Sequence, residues 1–253
     1  MGDYKDPANL DARLTPKGIE QCKALAATLA TRQQGQRQSS TTTATQENGN
    51  SHGDDRNGST AVVPSLDTID LIVTSSMSRC IDTALQCFPN FDGPVVAHEG
   101  LRETVNYVCD RRRARTELEQ EYPNIDFDAC PADDEIWRFY QDRLPSDWDS
   151  HRESAELWRV VERGRVFWDW LAQRSEQSVV VCTHSAFLRC VLSWGQRGGV
   201  ALQLPQTLDE RKDKTNEPLV QYGGDEEFEE FVRKDYANCE LRSFVVVFGE
   251  KTT

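Results

Sequence analysis

The stretch Ser178–Trp194, SVVVCTHSAFLRCVLSW, decides the fold. Val179, Val180, Val181 and Cys182 form an apolar run too short for a helix and rich in β-branching, which predicts a strand buried on both faces. Thr183 and His184 end that strand. Ser185 then caps a predicted helix whose apolar residues Phe187, Leu188, Cys190, Val191 and Trp194 recur at helical spacing up to a stop at Gly195. His184 therefore sits on a strand-to-helix turn. In open α/β sheets the ligand crevice lies at the carboxyl ends of strands, so an imidazole there is either a hydrogen-bonded loop residue or a group placed for chemistry. This one position leaves both readings open.

The same pattern recurs along the chain. Thr15-Pro16 opens an amphipathic helix with Ile19, Cys22, Leu25, Ala26 and Leu29 on one face. Residues 32–60 are Gln, Ser, Thr, Asn, Gly and charge with almost nothing to bury, which predicts a disordered low-complexity insertion within a single domain spanning 1–253. Ile69–Thr74 predicts a second strand. Ser75-Ser76 then cap a helix that turns Ile81, Ala84, Leu85 and Phe88 inward. Arg79 lies in the first turn of that helix, where negative charge is normally favoured; a bound anion would reverse the preference, whereas a solvated arginine would need no explanation. Val95–Ala97 predicts a third strand, and Glu103 follows it, placed to donate a proton if a crevice desolvates it. The run Arg111-Arg112-Arg113-Ala114-Arg115 is either an anion-attracting cluster or a solvated helix start facing Glu117, Glu119 and Glu121. Residues 128–153 read as an acidic and aromatic excursion, and a helix with Leu157, Val160, Val161, Phe167 and Leu171 inward leads into the opening strand. A polar loop is expected at about 195–235 and a last strand at Leu241–Phe248.

Composition excludes several classes. Forty-two acidic against twenty-nine basic residues, net charge -13, disfavour nucleic acid or an anionic membrane as partner. No apolar run reaches membrane-spanning length, and the first residues form no apolar signal segment. The eight cysteines include no CxxC pair and fall largely in apolar segments, which predicts small core residues in a reducing, cytoplasmic setting. Cys182 and His184 are two apart, yet no second pair completes a zinc site, so no metal is expected.

Strands alternating with amphipathic helices predict an α/β fold, a three-layer helix/sheet/helix with a mostly parallel sheet. Strand ends then gather on one rim, carrying Arg79, Glu103 and His184. An anion clamp, a proton donor and an imidazole together suggest phosphoryl transfer to or from a small phosphorylated substrate.

Val73–Ala84 (VTSSMSRCIDTA), Leu101-Arg102-Glu103 and Val181–Arg189 (VCTHSAFLR) resemble three signatures of the histidine phosphatase superfamily, the phosphoglycerate mutase-like proteins. Asp11–Gly18 is similar to the stretch after that family's first motif. Residues 109–127, 152–154 and 238–243 resemble a eukaryotic phosphoglycerate mutase-like branch. The resemblance implies a phosphohistidine mechanism without metal or cofactor: Arg79 would bind phosphoryl oxygens, Glu103 would protonate the leaving group, and His184 would hydrogen-bond the transferring group. Arg111 and Arg112 are candidates for a second anionic group of the substrate. The family's nucleophilic histidine belongs to an Arg-His-Gly motif closing a first strand upstream of Asp11, and the 253 residues contain no such triplet. The expectation is a chain that lacks its first strand and is inactive as it stands, the alternative being a pseudophosphatase that binds a phosphorylated ligand.

Overall fold

The structure, a computed structural model, describes residues 4–42, 68–144, 152–153, 157–195 and 218–249. Its centre is a four-stranded sheet of β1 (Leu71–Ser75), β2 (Val95–His98), β3 (Asp126–Ala129) and β4 (Val179–Cys182), ordered β3-β2-β1-β4. All pairings are parallel, with Val73 opposite Val96 on one side and Val181 on the other. α1 (Pro16–Thr42) precedes β1; α2 (Ser78–Cys87) lies between β1 and β2, α3 (Arg115–Glu121) between β2 and β3, and α4 (Glu135–Gln141) and α5 (Leu157–Leu171) between β3 and β4; α6 (Ser185–Ser193) and α7 (Glu226–Arg233) follow β4.

Side chains alternate across a strand, so β1 feeds two layers at once. Leu71 and Val73 pack with Trp158, Val160, Val161 and Phe167 of α5 and with Phe187, Cys190 and Val191 of α6. Ile72 faces the opposite way, against Cys22 and Leu29 of α1 and Ala84, Cys87 and Phe88 at α2. A third cluster joins Ile81, Ala97, Leu118, Tyr122 and Phe127 beneath α3 and β3. The sheet is covered on both faces, giving the three-layer α/β fold that the strand–helix alternation predicts. α5 and α6 approach closely at Gly164, where an added Cβ would lie 2.4 Å from Val191 Cγ1.

Several boundaries differ from expectation. α1 begins as predicted, with Thr15 Oγ1 accepting from Gly18 N at 3.1 Å, but continues to Thr42, past the expected start of the insertion at 32. The Arg and Gln residues at 32–34 and 36–38 are good helix formers and carry the helix past position 32 without an apolar stripe, although Gly35 and the Ser-Ser-Thr-Thr run at 39–42 are not. Residues 43–67, most of the expected insertion, lie outside the described residues. Within the expected polar loop at 195–235, α7 is a helix: Asp225 accepts from Phe228 N at 2.9 Å and Val232 is buried. β3 was hidden in Asp126-Phe127-Asp128-Ala129, where Phe127 alone is fully buried. Leu241–Phe248 forms no strand; it runs without a ladder, and Val245 and Val247 are 87% and 85% exposed. β4 is half-buried rather than buried on both faces, because β1 flanks it on only one side.

His98 ends β2 inside the protein. Its Nδ1 accepts from Gly100 N at 3.0 Å and its ring meets Phe167 edge-on at 5.3 Å. Burial pushes its pKa down from 6.5 to about 4. The unfolded chain therefore binds the extra proton first, and the contribution is complete above about pH 6.5 and is lost as pH falls toward 4. His98→Asn, which keeps an acceptor but no titrating ring, should lose up to about 3 kcal/mol less stability than the parent between about pH 7 and about pH 4. Urea unfolding at the two pH values measures this, and parallel losses in both proteins would refute the assignment.

Candidate active site

The parallel strands bring their carboxyl ends to one rim. β1 delivers Ser75 and Ser76, β2 leads through the single 3-10 turn Glu99–Leu101 to Glu103, and β4 leads to Thr183 and His184. Thr183 Oγ1 donates to Leu101 O at 2.7 Å and ties the β4 end to the β2 end.

His184 is the N-cap residue of α6 and is buried. Its Nε2 lies 2.9 Å from Ser75 Oγ, and Cys80 Sγ stands 3.5 Å from Nε2 and 3.8 Å from Nδ1. A hydrogen bond from Cys182, joined by the His184 and Arg79 charges and opposed by burial, holds the Cys80 thiol well below its ordinary value. Glu103 reaches the first turn of the same helix, its Oε1 accepting from Phe187 N at 3.1 Å and from Thr104 N at 3.0 Å. His184 and Glu103 are thus anchored to one helix end.

Arg79 is the second residue of α2. Its guanidinium donates to Cys109 O at 2.9 Å and to Asp110 Oδ1 at 3.1 Å, with the side chain 22% exposed. The N-terminus of α2 meets a second internal carboxylate: Ser78 N donates to Asp11 Oδ1 at 2.9 Å, and Arg113 Nε donates to Asp11 Oδ2 at 3.0 Å. The negative charge that Arg79's position called for is therefore already supplied by Asp110 and Asp11.

The arginine cluster divides by function. Arg112 is buried, donating to the carbonyls of Arg113, Pro131 and Asp133, each at 2.8 Å. Its Nε lies 3.0 Å from Glu99 Oε2 as an ion pair, without the alignment of a hydrogen bond. Arg111 sits over the Trp137 ring at 5.6 Å and, with Arg113, Arg138 and Asp142, lines a cleft of about 570 Å³. Both candidate substrate arginines line this cleft, but Arg111 is exposed, whereas Arg112 is buried and braces the loop.

Behind the rim lies a buried ionic network that no local pattern announces. Arg102 donates to Glu99 Oε1 at 2.8 Å and to Asp134 Oδ1 at 2.6 Å, and also to the Asp110 carbonyl. Glu99 Oε2 accepts from Ser76 Oγ at 2.6 Å. Asp134 caps α4 and accepts from Trp137 N and Arg112 N; against the cost of burial, Arg102 and these N–H groups hold its carboxyl below the ordinary range. Glu153, also buried, accepts from Val105 N and from Arg163, and burial pushes its carboxyl up. Sequence reasoning missed Asp11, Ser75, Cys80, Glu99 and Asp110. Only Asp110, an acid at the head of an arginine run, carried a readable signal.

The family model of the histidine phosphatase superfamily (branch 1) matches residues 56–207, a span containing Arg79, Glu103, Arg111, Arg112 and His184. The chain belongs to this superfamily. A curated phosphoglycerate mutase-like protein of Arabidopsis thaliana is 27% identical over 213 residues, covering 72% of this chain and 65% of that one. Phosphoglycerate mutase-like protein 1 of the same plant is 28% identical over 185 residues, covering 72% of this chain and 51% of its own length. Phosphoglycerate mutase-like protein 2 is 30% identical over 142 residues, covering 56% and 31%. The chain thus spans between 31% and 65% of the curated relatives it matches. Two solved structures, a mycobacterial hydrolase and a mycobacterial glucosyl-3-phosphoglycerate phosphatase, align over 72% of this chain and 67% and 68% of theirs, each at 18% identity and a TM-score of 0.35.

The buried network and the cleft give a paired prediction. Arg102→Ala leaves Asp134 without its buried cation and Glu99 with Arg112 alone, and should cost about 3–5 kcal/mol. Arg111→Ala touches only the cleft wall and should stay within about 0.5 kcal/mol. Equilibrium urea denaturation compares them, and similar losses for both would contradict this division of the cluster.

Proposed function

We propose that the protein is a phosphomonoesterase of the histidine phosphatase type, acting on a small phosphorylated substrate. The observation that carries the reading is the placement of Arg79, Glu103 and His184 at three strand ends of one rim, inside the span matched by the family model. In this reading Arg79 steadies the phosphoryl oxygens, His184 hydrogen-bonds the transferring group, and Glu103 gives the leaving oxygen its proton. Phosphoryl transfer depends on such positioning and charge neutralisation, and an alkoxide leaving group needs an acid. The attacking histidine, which would carry the phosphohistidine, is proposed to come from an Arg-His-Gly strand preceding Asp11; none of the 253 residues forms that triplet. The chain as given, 1–253 as one domain, is then the acid-bearing and phosphate-binding part of the enzyme and turns over little by itself. Arg111 is suited to a second anionic group of the substrate, and the eight free cysteines suit a reducing, cytoplasmic setting.

One observation favours a second reading. None of the 253 residues forms the Arg-His-Gly triplet, which suits a pseudophosphatase that holds a phosphorylated ligand through Arg79 and His184 without cleaving it.

Hydrolysis of p-nitrophenyl phosphate, without added metal, by this chain and by one extended upstream through an in-frame Arg-His-Gly strand separates the two. Activity confined to the extended chain is expected. In it, Arg79→Ala should lower kcat/KM by about 10²–10³-fold. Glu103→Gln should cost about 10²–10⁴-fold on an alkyl phosphate and less on the nitrophenyl ester, whose leaving group needs little protonation. Two folded but inactive chains that still bind phosphate would support the pseudophosphatase.

A further inference from the structure

Beneath the rim, on the α1/α2 face of the sheet, three cysteines from distant parts of the chain converge. Cys22 comes from α1, Cys87 ends α2, and Cys239 lies in the turn after α7. Their sulfur atoms all lie within 4.8 Å of one another, with Cys22 Sγ 3.5 Å from Cys239 Sγ. Three thiolates bound to one ion at a bond length of about 2.3 Å are about 3.8–4.0 Å apart, a spacing that these distances bracket. Cys22 and Cys87 are buried, and Leu25, Ile72, Ala84 and Phe88 wall the group.

The turn that presents Cys239 is held firmly. Arg242 donates to the carbonyls of Phe231 and Lys234 at 2.7 Å and of Asp235 at 2.8 Å, and Glu240 N donates to Ala237 O at 3.1 Å. Within it Cys239 has φ 59°, the left-handed region that a residue with a Cβ rarely adopts. The strained backbone turns its sulfur inward onto Cys22. Apolar packing alone gives no reason for a cysteine here, since Asn or Gly tolerates that conformation better.

We propose that Cys22, Cys87 and Cys239 form a binding site for a soft d10 cation, copper(I) or zinc(II), which staples the 237–242 turn to α1 and α2. Thiolates select these ions over hard cations, and the apolar walls suit a site closed to substrate. On uptake three S–metal bonds form, three protons leave the thiols to solvent, and no electron is transferred. The two ions differ in the fourth position. Copper(I) is content with three sulfurs, whereas zinc requires a fourth ligand; Cys182, which packs against the same cluster but donates to Cys80 O at 3.4 Å outside the sulfur group, would have to turn from Cys80 to supply it.

The test is titration of the reduced, metal-free full chain with copper(I) and, separately, with zinc(II). One ion per chain is expected, with X-ray absorption showing three or four sulfurs at about 2.3 Å. Cys22→Ser, Cys87→Ser and Cys239→Ser should each weaken binding by more than the roughly 10–100-fold that an outer-shell partner is worth, while Cys109→Ser leaves it unchanged. Cys182→Ser should affect zinc only. Should the core variants unfold, alkylation of the parent chain with and without the ion decides at Cys239, the half-buried member, whose labelling the ion should slow while Cys109 stays reactive. Absence of binding, binding indifferent to the three serines, or labelling of Cys239 that the ion leaves unchanged would show that the cysteines are only small core residues, and would overturn the site.

Discussion

The Arg102 guanidinium, buried between Glu99 and Asp134, is the interaction on which the rim depends. Leaving one of these charges without its partner inside the protein costs several kcal/mol, so the three move together or not at all. Glu99 fixes Ser76 at the end of β1, Asp134 starts α4 and holds Arg112 N, and Arg102 itself grips the Asp110 carbonyl. Asp110 in turn holds Arg79. A single guanidinium therefore links the ends of β1 and β2, the arginine-rich loop and the candidate phosphate-binding arginine. Such a network trades stability for a fixed arrangement, because an apolar replacement of the whole set would hold the core as well but would not place Arg79.

Much of this was legible in the sequence, and what was not has physical causes. β1, β2 and β4 are apolar β-branched runs followed by helix starts, so both the parallel order of elements and the positions of Arg79, Glu103 and His184 at their ends could be read locally. β3 escaped because a four-residue edge strand with one buried side chain leaves almost no periodic signal. α7 escaped because its acidic first turn, which complements the helix dipole, resembles a solvated loop. Leu241–Phe248 misled in the opposite direction: β propensity describes a side chain's fit to a sheet, and without a neighbouring strand among the described residues it produces no ladder. Arg111 and Arg112 are adjacent and identical in type, and only the tertiary fold separates an open cleft wall from a buried brace. Asp11 reaches Ser78 across 67 positions and Cys80 meets His184 across 104, separations that no window of sequence can join.

The charge balance at α2 bears directly on what can bind there. Arg79 is partly exposed, but Asp110 is buried and accepts from Asn106 N at 3.3 Å and Tyr107 N at 3.1 Å through its other oxygen, so it has donors besides the guanidinium. A phosphate group carries close to two negative charges and three acceptor oxygens, so it offers the guanidinium a bidentate partner and the helix end more charge than one carboxylate. If Arg79 takes a phosphoryl group as proposed, Asp110 would keep its hydrogen bonds from Asn106 N and Tyr107 N, while without a ligand it holds Arg79 in place. Asp11 differs in kind. Both are buried, but Asp11 accepts from Ser78 N at the start of α2 as well as from Arg113, and so caps the helix itself. The two carboxylates therefore divide the work: Asp11 fixes the start of α2, and Asp110 orients Arg79 from the neighbouring loop.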